Sequence, residues 1–112
     1  MQWEISVNDY TLLARLSGEF DLSFADRLRK ELDTVIQNEQ VRNIVFTFTD
    51  VSYIDSSGLG VILGRYKRIS QFGGKMAIVD PQPQVRRILE LSGLLTIISE
   101  YNDEVEALEK IV

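Results

Sequence analysis

NIVFTFTDVSYIDSSGLGVILGRYKRISQF, residues 43–72, is the stretch whose reading decides the fold. Its first part, Asn43 to Thr49, is a nearly continuous run of β-branched and aromatic side chains, with Ile44, Val45, Phe46 and Phe48. A strand apolar on both faces belongs in a sheet covered on both sides. Its later part places Leu59, Ile62, Leu63 and Tyr66 at i, i+3, i+4 and i+7, one face of a helix. The spacing predicts a helix from about Ser57, stopped by Gly73-Gly74, with Asp50 to Asp55 as a short connection before it. A buried strand leading into a helix is the repeating unit of a parallel α/β sheet.

The flanks extend that unit. Trp3, Ile5 and Val7 alternate with polar residues, Asn8-Asp9 signals a turn, and Tyr10 to Leu16 alternates again, which predicts a hairpin ended by Ser17-Gly18. Ala25, Leu28, Leu32, Val35 and Ile36 share one helical face over residues 24–38, with Asp21 or Ser23 as its cap. Met76 to Val79 reads as a second buried strand. Pro81 and Pro83 break the chain, and Pro83 suits the first turn of a helix whose core face is Val85, Ile88 and Leu89, with Gly93 beyond its end. Thr96 to Ser99 reads as a short strand, and Asn102 or Asp103 caps a last helix carrying Val105, Leu108 and Val112. The order is ββαβαβαβα: one α/β domain over residues 1–112, a single mixed, mostly parallel sheet packed with helices.

Composition excludes several kinds of chemistry. The chain has 112 residues, enough for one hydrophobic core. Its formal net charge of -5 disfavours phosphate backbones and anionic lipid surfaces as partners, so neither nucleic acid nor membrane is expected. It has no cysteine, so disulfides and thiolate zinc sites are excluded. It has no histidine, so the commonest general base and transition-metal ligand is missing and a Ser-His-Asp triad cannot form. No apolar run approaches the roughly 20 residues of a membrane-spanning helix. The beginning, MQWEISVNDY, lacks the pattern of a signal peptide, so a cytoplasmic protein is expected.

The segment DSSGLGVILG, residues 55–64, needs explanation, because a glycine inside a helix costs about 1 kcal/mol relative to alanine. Gly60 and Gly64 lie four apart on one face, which suits close approach either of this helix to its own sheet or of an outside surface. Gly58 falls in the first turn, where a bare backbone leaves N–H groups accessible. Ser56 stands where the helix begins and reads first as an N-cap. The same position suits an anion, because a helix N-terminus holds free N–H donors and about half a positive charge. A phosphate on Ser56 would add roughly -1.5 to -2 of charge beside Asp55 without melting the helix. GxxxxGK[ST], GxGxxG and GxSxG are all absent, so phosphate-loop, dinucleotide and nucleophile-elbow readings fail.

DVSYIDSSGLGVILGRYKRI resembles the phosphorylated segment of the STAS domain in bacterial anti-sigma factor antagonists, most of all the sporulation-type antagonists of an anti-sigma F factor. The likeness extends over essentially the whole chain, through LSGEFD at 16–21, FGGKM at 72–76 and RRILELSGL at 86–94. Where sporulation members tend to carry two histidines after this first motif, the chain has Leu22-Ser23. The resemblance implies that the unphosphorylated protein binds an anti-sigma factor that is also a serine kinase, and so frees the sigma factor. It implies that this kinase phosphorylates Ser56 and that a separate serine phosphatase reverses the step. By the same likeness Asp21, Asp55, Ser57, Gly58 and Leu59 belong to the partner-binding surface with Ser56, and Ile62 and Arg65 follow one and two turns along the helix. No catalytic residue, metal or cofactor is implied, and the free protein is expected to be a monomer.

Two other classes stay open on the sequence. One is a STAS-type regulatory or ligand-sensing subunit, either a general stress-response antagonist or part of a transport assembly, since a fold is not a function. The other is an enzyme using Asp21, Asp50, Asp55 and Ser56, against which stands the lack of any activator for the serine. Trp3 is expected to pack the hairpin onto the core, and Arg65, Lys67 and Arg68 to complement the dipole late in their helix.

Overall fold

The structure is a computed structural model and describes residues 1–111. Its elements are β1 (Gln2–Asn8), β2 (Thr11–Phe20), α1 (Leu22–Asn38), β3 (Asn43–Ile54), α2 (Ser56–Ser70), β4 (Met76–Val79), α3 (Pro83–Leu91), a 3₁₀ turn (Leu94–Thr96), β5 (Ser99–Tyr101) and α4 (Glu104–Lys110). The order ββαβαβαβα therefore stands. The five strands lie in the sheet in chain order, β1 antiparallel to β2 and every later pair parallel. Crossovers of one hand that each advance one strand leave their helices on one face. Accordingly α1, α2 and α3 cover the same side, and α4 returns beneath the other.

Side-chain parity divides the core in two. Leu12, Ala14 and Leu16 of β2, Ile44, Phe46 and Phe48 of β3, and Met76 and Ile78 of β4 meet Leu28 and Leu32 of α1, Ile62 and Ile69 of α2 and Val85 and Leu89 of α3. Phe48 stands edge-on to Phe20 and Phe46, with ring centroids 6.3 and 6.2 Å away. The alternate residues Val45, Ala77 and Val79 form a smaller layer with Ala107 of α4 and Ile111 at its end. Trp3 packs against the larger core as expected, donates its indole N–H to Glu31, and carries Arg27 over its ring at 5.6 Å.

Several boundaries differ from the sequence reading, each for a local reason. β3 does not end at Thr49; it runs on through Asp50–Ile54, the segment expected to be a connection. Between Thr47 and Tyr53 it twice has one residue more than β2, opposite the steps Arg15 to Ser17 and Gly18 to Glu19. These bulges turn the period of two into a period of three, so Phe48, Val51 and Ile54 all remain buried. β2 likewise passes through Ser17-Gly18 to Phe20, because Gly18 adopts φ +101° within the irregular pairing. Thr96 to Ser99 is not a strand: a 3₁₀ turn ends at Thr96 and β5 begins at Ser99. On α4 the buried residue is Ala107, joined by Ile111 just past its end, while Val105 and Leu108 are exposed. Val112 lies outside the described residues.

The hairpin turn is also unusual. Asp9 and Tyr10 both have positive φ, +50° and +64°, as a two-residue type I′ turn requires. Glycine or asparagine is the ordinary second residue, and a side chain in this region costs about 1–2 kcal/mol.

Candidate functional site

The site lies where β2 and β3 end side by side. Phe20 pairs with Ile54 in the parallel register, so Asp21 and Asp55 leave the sheet as neighbours. Each caps the helix that follows. Asp21 accepts a hydrogen bond from the Ser23 N–H at 3.0 Å. Asp55 Oδ1 accepts from Ser57 N–H at 2.9 Å and Gly58 N–H at 3.2 Å. The Asp55 N–H donates to the Phe20 carbonyl at 3.3 Å, which ties the two helix starts together.

This arrangement corrects the expected cap. Ser56 is the first residue of α2 and Asp55 is its N-cap. The capping bonds fall to a carboxylate, so the exposed Ser56 hydroxyl is not occupied in holding the helix. Gly58 does not keep its N–H open either, since Asp55 takes it. Its role is contact. A Cβ there would lie 2.7 Å from the Phe20 carbonyl oxygen and 2.9 Å from Ile54 Cγ1, closer than side chains pack. Glycine lets the first turn of α2 rest on the end of β2, and that sets where Ser56 emerges.

Asp21, Asp55, Ser57 and Leu59 lie around Ser56 and retain some exposure. Gly58, expected at this surface, is buried by its contact with β2, and two further residues expected there, Ile62 and Arg65, face inward as well. Ile62 is fully buried in the main core, because the inward stripe of α2 is Gly58, Val61, Ile62 and Ile69. Arg65 continues that stripe; its side chain is only 12% exposed, with Nε 3.1 Å from Asp33 Oδ1 on α1. The same carboxylate meets Arg68 at 3.2 Å and Arg29 at 3.7 Å. Burial lowers the pKa of Arg65 against the opposing pull of Asp33. Arg65 thus joins α1 to α2 and is not presented to an outside protein.

Gly60 and Gly64 face away from the sheet, and a Cβ at either would meet nothing within 4 Å among the described residues. Close packing on the chain's own sheet does not explain them. Gly60 lines a shallow apolar groove of about 320 Å³ that begins at Ser56 and runs between Leu59 and Leu63 on one side and Leu94 and Ile97 on the other. Leu94 and Ile97 were not legible as site residues, because a separate segment after α3 brings them there. Leu22, 75% exposed immediately after Asp21, adds an uncovered apolar side chain at the neighbouring helix start. The surface therefore combines two carboxylates, a free hydroxyl and an apolar trough. Such a surface suits protein docking.

Among the described residues, no group of three or more acidic side chains is placed to hold a metal ion, and no helix is long and apolar enough to cross a membrane.

Known proteins share both sequence and architecture with this chain. An anti-sigma F factor antagonist from Paenibacillus polymyxa is 45% identical over 111 residues, covering 99% of this chain and 95% of that protein. The anti-sigma factor antagonist SpoIIAA in its unphosphorylated form superposes with a TM-score of 0.88 at 29% identity, over 98% of this chain and 96% of the other. The Bacillus cell fate determinant SpoIIAA in the phosphorylated form superposes with a TM-score of 0.80 at 28% identity, over 99% and 100%. Residues 2–107 match the STAS domain, and with the five-stranded mixed sheet and its helix cover this places the chain in the STAS domain family, among the anti-sigma factor antagonists.

Proposed function

We propose that this protein is an anti-sigma factor antagonist of the sporulation type, switched by phosphorylation of Ser56. Unphosphorylated, it docks an anti-sigma factor that is also a serine kinase and so releases the sigma factor. Phosphorylation by that kinase ends the docking, and a serine phosphatase restores it. The observation that carries this reading is the division of labour at the start of α2: Asp55 makes the cap, and the neighbouring Ser56 hydroxyl is exposed with no structural duty.

The electrostatics support a switch of docking and not of folding. A phosphate on Ser56 would gain from the N-terminal dipole of α2, which favours an anion by about 0.3–1 kcal/mol. It would also stand beside Asp55 and Asp21 at the mouth of an apolar groove. A partner seated there must desolvate the dianion or face it with like charge, which costs several kcal/mol. That the relative SpoIIAA is known in both a phosphorylated and an unphosphorylated form agrees with such a switch. The anti-sigma F specificity of the 45% identical relative favours the sporulation branch over a stress-response one.

The test is to incubate the protein with its cognate anti-sigma kinase and ATP, and to locate added phosphate by mass spectrometry. The phosphate is expected on Ser56 alone. Ser56→Asp should weaken anti-sigma binding at least ~100-fold, since 1.4 kcal/mol is tenfold, with no fall in melting temperature. Ser56→Ala should bind and resist phosphorylation. Phosphate elsewhere, or full affinity in Ser56→Asp, would overturn the assignment.

A further inference from the structure

A second cavity lies at the opposite end of α2, about 21 Å from Ser56 at 1.5 Å per residue. We propose that it binds a small aromatic oxyanion: an aromatic or heteroaromatic ring bearing a carboxylate or phosphate group. The cavity, about 510 Å³ in volume, is lined among others by Tyr10, Gln40, Arg42, Arg68 and Phe72. That is the size of ordinary small-molecule sites.

Charge gives the first reason. The chain is acidic, with a net charge of -5, yet among the described residues two guanidinium groups and no carboxylate line this cavity. Arg42 forms no ion pair among the described residues. Arg68 shares Asp33 with both Arg29 and Arg65, so three guanidinium groups surround one carboxylate. An oxyanion between Arg42 and Arg68 would supply the missing countercharge in the planar, two-pronged geometry that arginine favours.

Shape gives the second. Tyr10 and Phe72 are 60% and 74% exposed, although each is an aromatic ring at the cavity wall. A flat ligand would cover them, and aromatic faces and edges pair readily with another ring.

Backbone strain gives the third. Four non-glycine residues have positive φ among the described residues, and two of them, Tyr10 and Gln40, line this cavity. Tyr10 occupies the turn position that glycine would hold without strain, and its side chain is what the strain retains. Strain of this kind gathers at ligand sites. The wall is also coupled: the Tyr10 carbonyl accepts from the N–H groups of Arg42 at 2.7 Å and Asn43 at 3.2 Å. Gly74 lets the chain after α2 lie against the same segment, since a Cβ there would overlap the Arg42 carbonyl oxygen.

The full chain, labelled with ¹⁵N, would be titrated separately with indole-3-acetate and adenosine 5′-monophosphate, with tryptamine as the cationic control. At least one anion should give saturable amide shifts centred on Tyr10, Gln40, Arg42 and Gly73, and tryptamine none. The arm that saturates at lower concentration tells carboxylate from phosphate. Arg42→Gln should weaken binding at least tenfold with the melting temperature unchanged. Tyr10→Gly should weaken binding while raising the melting temperature. No saturable shift from either anion at about 10 mM, the weak-binding limit, would overturn the site. So would shifts centred on Ser56 to Leu63, or undiminished binding by Arg42→Gln.

Discussion

Replacing glycine by alanine at three positions of α2 should change stability in opposite directions. Alanine in a helix interior is favoured over glycine by about 1 kcal/mol. At Gly60 and Gly64 nothing lies within 4 Å of the added methyl, so that gain is free of steric cost. At Gly58 the methyl would meet the Phe20 carbonyl oxygen at 2.7 Å and Phe20 Cγ and Ile54 Cγ1 at 2.9 Å. A backbone oxygen and two buried side chains cannot swing aside, so α2 must lift from the end of β2. Overpacking of this kind costs about 1–3 kcal/mol, which exceeds the propensity gain at most values and leaves a net loss of roughly 1 kcal/mol. For a domain near this size each kcal/mol moves the melting temperature by about 4–8 °C. Gly58→Ala should therefore melt several degrees lower, and Gly60→Ala and Gly64→Ala several degrees higher. Thermal and urea unfolding followed by far-ultraviolet circular dichroism measures all three. Equal stability of Gly58→Ala and the parent, or a loss at both Gly60 and Gly64, would show that the contact geometry assigned to α2 is incorrect. A coupled outcome is expected in anti-sigma binding: Gly60→Ala should bind more weakly despite its greater stability, because its methyl enters the groove beside Ser56.

Two further predictions concern single carboxylates. Asp55→Ala removes the acceptor for two N–H groups of α2 and should cost about 0.5–2 kcal/mol, read as faster hydrogen exchange at Ser57 and Gly58. Glu104 joins α4 to the sheet through Arg15 at 2.8 Å and through the Thr47 hydroxyl. The Arg15 hydrogen bond, helped by Thr47, holds its carboxyl below the usual range despite partial burial. A carboxyl whose pKa is lower folded than unfolded stabilises fully above its unfolded value, near 4.5. That contribution disappears as the pH falls through the folded value. Glu104→Gln should thus be less stable than the parent at pH 7, and the two urea midpoints should converge as the pH falls below about 4.5; a constant gap through the acid range would refute the linkage.

The architecture was legible because its signals are local and agree with one another. Val45, Phe46 and Phe48 demanded a sheet covered on two sides, and the helical spacing over 24–38 and from Leu59 placed helices between strands. Structure departs from local pattern where neighbours override it. Asp50–Ile54 hid its strand because two bulges replace alternation by a period of three, and the bulges exist only against β2. Ile62 and Arg65 follow Leu59 by about one and two turns, so helical period alone leaves them beside the Ser56 surface. A helix rotates by 100° per residue, so only the angle at which α2 lies on the sheet decides which turn faces inward.

Sequence by itself determined the ββαβαβαβα order, the family resemblance and the position of Ser56 at the entry of a helix, because each depends on residues close together in the chain. Tertiary structure decided who performs the cap at that serine, which glycine is a contact and which are open, and that Leu94 and Ile97 complete the groove. Those facts depend on how far one backbone lies from another, a distance set by packing between segments that no single stretch encodes.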